Sequence, residues 1–227
     1  MPSKIVLDLK FAVREGGYAR GQEGYEVILR AALELLIEHG YRALSFRRIA
    51  EASGLKPGHI SYYFPTREDL VRELFEAVFS SYQEEFDNIM HEPGSPPERR
   101  LESLVFLILE DITTKKTTNF FVEIWALSNH DAFVYDLMQD FYGRARQPLS
   151  DIIAALNPAL HETEREALAL FISASMEGMT VFAGYGKPYR SNMPMLSRIA
   201  VQSFVRLIRD IKPGDMLEAA DVGAMAG

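Results

Sequence analysis

The stretch from Ser45 to Leu70, SFRRIAEASGLKPGHISYYFPTREDL, is punctuated so closely that few folds can accommodate it. Ser45 offers an N-cap for a helix over Phe46 to Ala52. Gly54 supplies a turn, and Pro57 suits the first turn of a second helix, where its missing N–H has no bond to lose. That helix runs to about Tyr63. Pro65 breaks it, and Thr66 with Asp69 three residues on reads as a capping box for the next helix. Leu70, Leu74 and Val78 carry this third helix onward at spacing four, toward Met90. Two short helices across a tight turn, then a long one, are the frame of a helix-turn-helix.

The residue types within that frame suit DNA. A helix fits the major groove, where the base-pair pattern is unambiguous. Ala50 and Gly54 are small where two helices cross closely, and Ile49, Leu55 and Ile60 are apolar where they join the pair to a core. The residues left exposed on the second helix are Lys56, Gly58, His59, Ser61 and Tyr62. Gly58 lets the backbone approach the duplex, and His59 and Tyr62 can reach base edges or thymine methyls. Ser45, Arg47, Arg48, Lys56, Tyr63 and Arg67 are candidates for phosphate, through hydroxyl, cation or backbone N–H. Taken singly, Arg47 and Arg48 also read as solvated charges, His59 as a surface histidine and Phe64 as a core aromatic.

The net charge of -8 does not oppose this reading, because it is unevenly placed. Residues 1–80 carry eleven basic and eleven acidic side chains, and the rest of the chain thirteen basic and twenty-one acidic. A neutral head can present a local basic face while an acidic body discourages nonspecific binding. There is no cysteine, which removes disulfides and thiolate metal sites and fits a reducing, cytoplasmic setting. The first twenty residues are interrupted by Lys4, Asp8, Lys10, Arg14 and Glu15, unlike a signal peptide. No apolar run approaches the ~20 residues that span a bilayer, so no membrane partner is expected.

Along the chain, residues 1–22 read as an arm that either reaches the minor groove or packs on the body. A helix follows from Gly24 to His39, stopped by Gly40. The head occupies 23–80, the body 81–212, and 213–227 reads as a flexible tail. His91 to Arg99, HEPGSPPER, is the clearest linker. Beyond it only helical patterns occur: Leu101 to Ile112, Asn119 to His130, Ala132 to Leu156 with Pro148 as a kink or break, Thr163 to Tyr185, and Met193 to Ile211. The expected fold is all-α, a three-helix head joined by a connecting helix to a larger helical body.

From Tyr25 to Val78 the chain resembles the DNA-binding domain of the TetR family of bacterial transcriptional regulators. Ala31 to Gly40, SFRRIAEASGL from Ser45 and YYFPTREDL from Tyr62 carry the likeness. The resemblance implies a homodimer on a partly palindromic double-stranded operator, a small-molecule pocket in the C-terminal body, and loss of DNA affinity on ligand binding. It also implies that Ser45, Tyr63 and Arg67 are phosphate contacts and that Gly58 and His59 read bases. Lys56-Pro57 departs from the Ser or Thr that commonly opens the recognition helix.

Residues 119–142 are rich in aromatics, and Met138, Met176, Met179 and Phe182 add adaptable apolar surface. These fill a helical core or line a pocket. Interleaved Glu123, Asn129, His130 and Glu177 favour a pocket, since ligand sites are mostly apolar with a few placed polar groups. Phe121, Trp125 and Asn129 recur at spacing four. The expected effector-binding set is Phe121, Trp125, Asn129, His130, Phe141, Met176 and Glu177, and Glu177 beside aromatic rings suits a cationic or amine ligand. Ala174 and Gly178 permit close helix approach, and Leu196, Ile199, Ala200, Ser203 and Leu207 form a stripe on the last helix. These seven form the expected dimer interface, a four-helix contact about a two-fold axis.

The five histidines show no metal-ligand spacing, and there is no phosphate loop or nucleophile elbow. Neither catalysis nor a cofactor is expected. The remaining alternative is an effector-independent DNA-binding protein, such as a nucleoid or division factor whose body recruits a protein.

Overall fold

Every regular element among the described residues is helical, and local chemistry places most of the ends. The computed structural model describes residues 7–11 and 19–215. The helices are α1 (Ala19–His39), α2 (Phe46–Ser53), α3 (Pro57–Tyr63), α4 (Arg67–Met90), α5 (Pro97–Ile112), α6 (Lys115–Ser128), α7 (Ala132–Leu156), α8 (Glu162–Ala183) and α9 (Met193–Asp210). Short 3-10 turns occupy Tyr41–Ala43 and Arg190–Asn192.

The helix-turn-helix segment follows its caps. Ser45 Oγ accepts from the N–H of Arg48, and Gly54 closes α2 in the left-handed region at φ 70°. Pro57 stands in the first turn of α3. Thr66 and Asp69 cap α4 reciprocally: each backbone N–H donates to the other's side chain at 3.1 Å. The differences lie elsewhere, and α5 is one: it starts at Pro97, inside the expected linker and four residues early. α1 begins at Ala19, inside the expected arm. α6 starts at Lys115, four residues early, because the Thr114 hydroxyl caps it through the N–H of Thr117. α7 runs unbroken through Pro148. An internal proline costs about 3 kcal/mol, and burial of the neighbouring Leu149, Ile152 and Ile153 offsets it.

The described residues form two compact units, one of those between 7 and 85 with Thr114–Arg144, the other of Phe86–Thr113 with residues 145–215. The expected boundary at residue 80 falls inside α4, and α6 with the first half of α7 groups with the head helices.

In the first unit, α1 packs on α2, and α2 on α3. Ile28, Leu29, Ile49, Ile60, Phe64, Leu70 and Leu74 form its core. Each such side chain contributes roughly 1.5–3 kcal/mol. Residues 7–11 lie on this unit as an extended strap. Leu7 and Leu9 are buried, the N–H of Lys10 donates to the carbonyl of Ala77 at 3.0 Å, and the Lys10 ammonium pairs with Glu84. This part of the arm therefore packs on α1 and α4; the remaining arm residues up to 18, and the tail from 216, lie outside the described residues.

In the second unit, α5 packs on α8 and α9. Leu101, Val105, Leu109, Ile172, Phe204 and Ile208 are buried there. Asn157 Nδ2 donates to the carbonyls of Ile208 and Ile211, at 2.8 and 3.0 Å, satisfying acceptors that the end of α9 leaves unpaired. Glu164 caps the start of α8. Its carboxylate accepts from the N–H groups of His161 and Gly214, at 2.8 and 2.7 Å. Those two donors, Gly214 foremost, hold its pKa below the ordinary glutamate value.

One helix among the described residues, α8, is long and apolar enough by length and composition to cross a membrane, yet only 33% of its apolar window is buried. The unburied part is ordered. Leu170, Phe171, Ala174, Gly178, Val181 and Phe182 are all exposed, and at about 100° per residue they fall within roughly 120° of the helix circumference. On α9, Met195 and Ile199 are exposed as well.

Candidate nucleic-acid interface

The second helix of the motif, α3, has one buried residue, Ile60, which fixes how the helix rolls on the head. With Ile60 inward, Lys56, Gly58, His59, Ser61 and Tyr62 all face solvent. Tyr62 is 82% exposed, an unusual position for a large ring that has no partner surface. A Cβ added at Gly58 meets nothing within 4 Å, so the backbone here is open to close approach. Ser45, Arg47 and Arg48, at the start of α2, are exposed too. Seven of the nine expected DNA contacts are thus exposed, on α3 or at the N-terminal ends of α2 and α3.

Tyr63 is half-buried, with its ring edge-on to Tyr62 at 5.3 Å. Its hydroxyl end lies against α1 at Gly24, where a Cβ would come within 2.7 Å of the oxygen. Gly24 therefore seats the tyrosine that ends the recognition helix, a role that sequence reasoning missed because nothing local marks it. Behind Tyr63, Phe64 stacks on Tyr25 at 5.4 Å, and the Tyr25 hydroxyl donates to Glu73 at 2.5 Å.

Arg67, the ninth expected contact, is half-buried and has a partner inside the head. Its guanidinium lies 4.1 Å over the ring of Tyr41, and Nη2 donates to the Tyr41 carbonyl at 2.9 Å. Burial raises the Tyr41 pKa, which Arg67 partly counteracts. The cation braces the turn between α1 and α2.

That turn is held from a second side, by α6. Glu123 Oε1 accepts from the N–H of Tyr41 at 2.8 Å, Asn119 Nδ2 donates to the Ile37 carbonyl at 3.0 Å, and Lys115 pairs with Glu38 at 2.6 Å. Gly40, at φ 74°, lies so close that a Cβ would approach Glu123 Oε1 to 2.8 Å. Glu123 read in sequence as a pocket residue; it is a tie to the head. The spacing of Lys115, Asn119 and Glu123, four and four on an aromatic helix, is the signal that marks this stripe.

On roughly the opposite side of α6, some 140° away at about 100° per residue, stand Phe121 and Trp125. Phe121 is buried among Tyr82, Phe120 and Phe141, at 5.2–6.1 Å between centroids. Trp125 is half-buried, 6.2 Å from Phe121, and its indole N–H donates to the Tyr142 hydroxyl at 2.9 Å. Asn129 and His130 are exposed just beyond α6, and the Asn129 amide donates to the Trp125 carbonyl at 3.0 Å. Phe121, Trp125 and Phe141 are thus brought together in one aromatic cluster. Of the two other expected effector residues, both on α8, Met176 is buried and Glu177 half-buried.

Of the expected interface positions, Ala174, Gly178, Ile199 and Ser203 are exposed, and Leu196 and Leu207 are half-buried. Ala200 is turned into its own chain at 3% exposure, so it cannot meet a partner. The sequence stripe on α9 missed Met195 and, on α8, the four large residues Leu170, Phe171, Val181 and Phe182.

Residues 28–74 match the protein-family model described as bacterial regulatory proteins, tetR family, and residues 97–204 match that described as BetI-type transcriptional repressor, C-terminal. The chain is 30% identical over 170 residues to the transcriptional regulator AcrR of Shigella flexneri, covering 69% of this chain and 78% of that protein. It is 22% identical over 179 residues to the regulator PksA of Bacillus subtilis, covering 77% and 85% respectively. Among solved structures, a transcriptional regulator from Rhodococcus superposes with a TM-score of 0.66 at 16% identity, covering 81% of this chain and 95% of the other. One from Saccharomonospora viridis, in complex with choline, gives 0.59 at 20% identity, covering 83% and 95%.

Proposed function

Since this chain belongs to the TetR family of bacterial regulatory proteins, and is therefore a DNA-binding transcriptional regulator and not an enzyme, we propose that it is a repressor which a small molecule releases from a partly palindromic operator. The observation that carries the DNA half is the solvent face of α3, where Lys56, Gly58, His59 and Tyr62 stand clear while Ile60 alone is buried. His59 and Tyr62 read bases, and Ser45, Arg47, Arg48 and Lys56 hold phosphates.

The subunits pair through the exposed stripe of α8 with Met195, Ile199 and Ser203 of α9. A surface this apolar is costly to leave in water, and the open space at Gly178 admits a facing helix. Two heads per dimer then engage two half-sites about one helical turn apart.

The ligand half rests on the two faces of α6. One face ties Ile37, Glu38 and Tyr41 of the head, and the other carries Phe121 and Trp125. A ligand that inserts beside Trp125 and shifts α6 also pulls on the turn that leads into α2, and a modest preference for one position moves the equilibrium between DNA-competent and released forms. The aromatic cluster favours a cationic ligand. Choline, the molecule bound by the Saccharomonospora relative, is the first compound to try.

The test is selection of genomic fragments by the purified protein, then anisotropy on the selected duplex with quaternary amines added. Sequence-specific binding weakened by ligand is expected. Equal affinity for every duplex removes the operator reading, and specific binding that no effector perturbs removes the release reading.

A further inference from the structure

The second unit holds an open cavity of about 850 Å³ between the end of α5, the connection from α8 to α9, and the start of α9. Its charge is unlike that of the chain around it. Beyond residue 80 acidic residues outnumber basic ones by twenty-one to thirteen, yet Lys187, Arg190 and Arg198 all line this cavity and Glu110 is its one acid. Among the described residues, none of the three cations has a carboxylate within 4.0 Å. Arg190 is held in place, its Nε–H donating to the Thr113 carbonyl at 3.0 Å and its guanidinium lying 5.6 Å from the ring of Tyr185. That anchoring uses one donor and fixes the head group in advance of any ligand, which lowers the cost of binding. The other walls are apolar, with Phe106, Met193 and Pro194.

We propose that this cavity binds a small amphipathic anion, a carboxylate or phosphate head held by Lys187, Arg190 and Arg198 over a short hydrocarbon tail that lies on Phe106, Met193 and Pro194. The volume suits such a molecule, since ligand pockets run from roughly 300 to 1,000 Å³. A guanidinium with free forked donors matches either head group. The site is separate from the aromatic cluster on α6, and the charge it selects is opposite to the one favoured there. It also avoids the self-association stripe. On α9 the lining residues Met193, Pro194, Ser197 and Arg198 centre roughly 150° from Met195 and Ile199, at about 100° per residue.

The test is calorimetric titration of the full-length protein with octanoate and with octyl phosphate, against octanol and octyltrimethylammonium as neutral and cationic controls. Saturable binding of at least one anion is expected, with both controls weaker by tenfold or more. Lys187→Gln and Arg198→Gln each weaken it roughly threefold, and together about tenfold, while Lys212→Gln, outside the cavity, leaves it unchanged. Whether octanoate or octyl phosphate binds more tightly assigns the head group. Octanol binding as well as the anions, no anion binding at all, or a double variant that binds like the parent overturns the proposal. Circular dichroism of the double variant excludes unfolding. Operator binding in the absence of ligand is measured on the same samples, so loss of the anion site and failure of the repressor reading are told apart.

Discussion

The α2–α3 surface and the α8–α9 surface both face solvent, yet they are built from opposite materials. The first exposes Lys56, His59, Ser61 and Tyr62, each with a polar atom at its tip, around one buried anchor, Ile60. The second exposes Leu170, Phe171, Val181, Phe182, Met195 and Ile199, none of which has a polar atom to offer. Exposed hydrogen-bonding groups on a short, well-anchored helix suit a partner that is itself polar and highly charged. Exposed hydrocarbon on two long helices suits a partner of the same kind, and the nearest supply is another copy of the chain. The composition of what is left uncovered thus separates two partner classes that shape alone does not.

The comparison breaks most visibly at the apolar side. Phe171→Glu with Phe182→Glu places four charges in a two-fold contact, costing about 4 kcal/mol, roughly a thousandfold in dimer affinity. Sedimentation should show monomers with an intact melting transition, and operator affinity should fall with the loss of the second head. Dimers that persist would move the interface elsewhere. On the polar side, His59→Ala or Tyr62→Ala should cost about 2 kcal/mol in operator binding by anisotropy, with the melting temperature unchanged, because neither residue supports the core. A melting temperature that falls instead would make these residues structural.

The brace between α6 and the head sharpens the contrast from within. Gly40→Ala strains a residue at φ 74° and drives a methyl toward Glu123, so chemical denaturation should report a loss of about 1–2 kcal/mol. The smallest effect is one of pH. The Glu164 pKa is lowered in the folded chain, so its contribution is complete above the ordinary value of 4.5 and is lost as pH falls through the lower native value. Wild type should exceed Glu164→Gln in stability above pH 4.5, and the gap should close on acidification, since the carboxylate joins the start of α8 to Gly214 beyond α9. A gap that is constant with pH would assign the effect to packing.

The head was legible from sequence because its boundaries are written in residues with few conformational options. Ser45, Gly54, Pro57 and the Thr66–Asp69 pair each act within four positions of themselves, and the structure returns α3 over the residues the sequence marked. What the sequence did not show was long-range. Nothing near Arg67 announces that Tyr41, twenty-six residues earlier, lies beneath its guanidinium. Glu123 reads as a pocket acid until the turn at Tyr41, eighty-two residues earlier, is seen to donate to it. On α9 the apolar pattern names Ala200 as readily as Ile199, because a helix packed on one side and open on another carries small apolar residues toward both. Only the packing of α9 on the rest of its unit decides that Ala200 goes inward.

The chain contains a single tryptophan. Its indole is half-buried, touches the ring of Phe121 and donates to the hydroxyl of Tyr142, on a helix whose other side grips the head. Ultraviolet emission excited selectively from that side chain therefore comes from one place, without background from a second emitter. Quenching or a wavelength shift on adding a compound reports the surroundings of α6 directly, in unmodified protein and without DNA. The regulator carries its own optical sensor, on the helix that also braces the head.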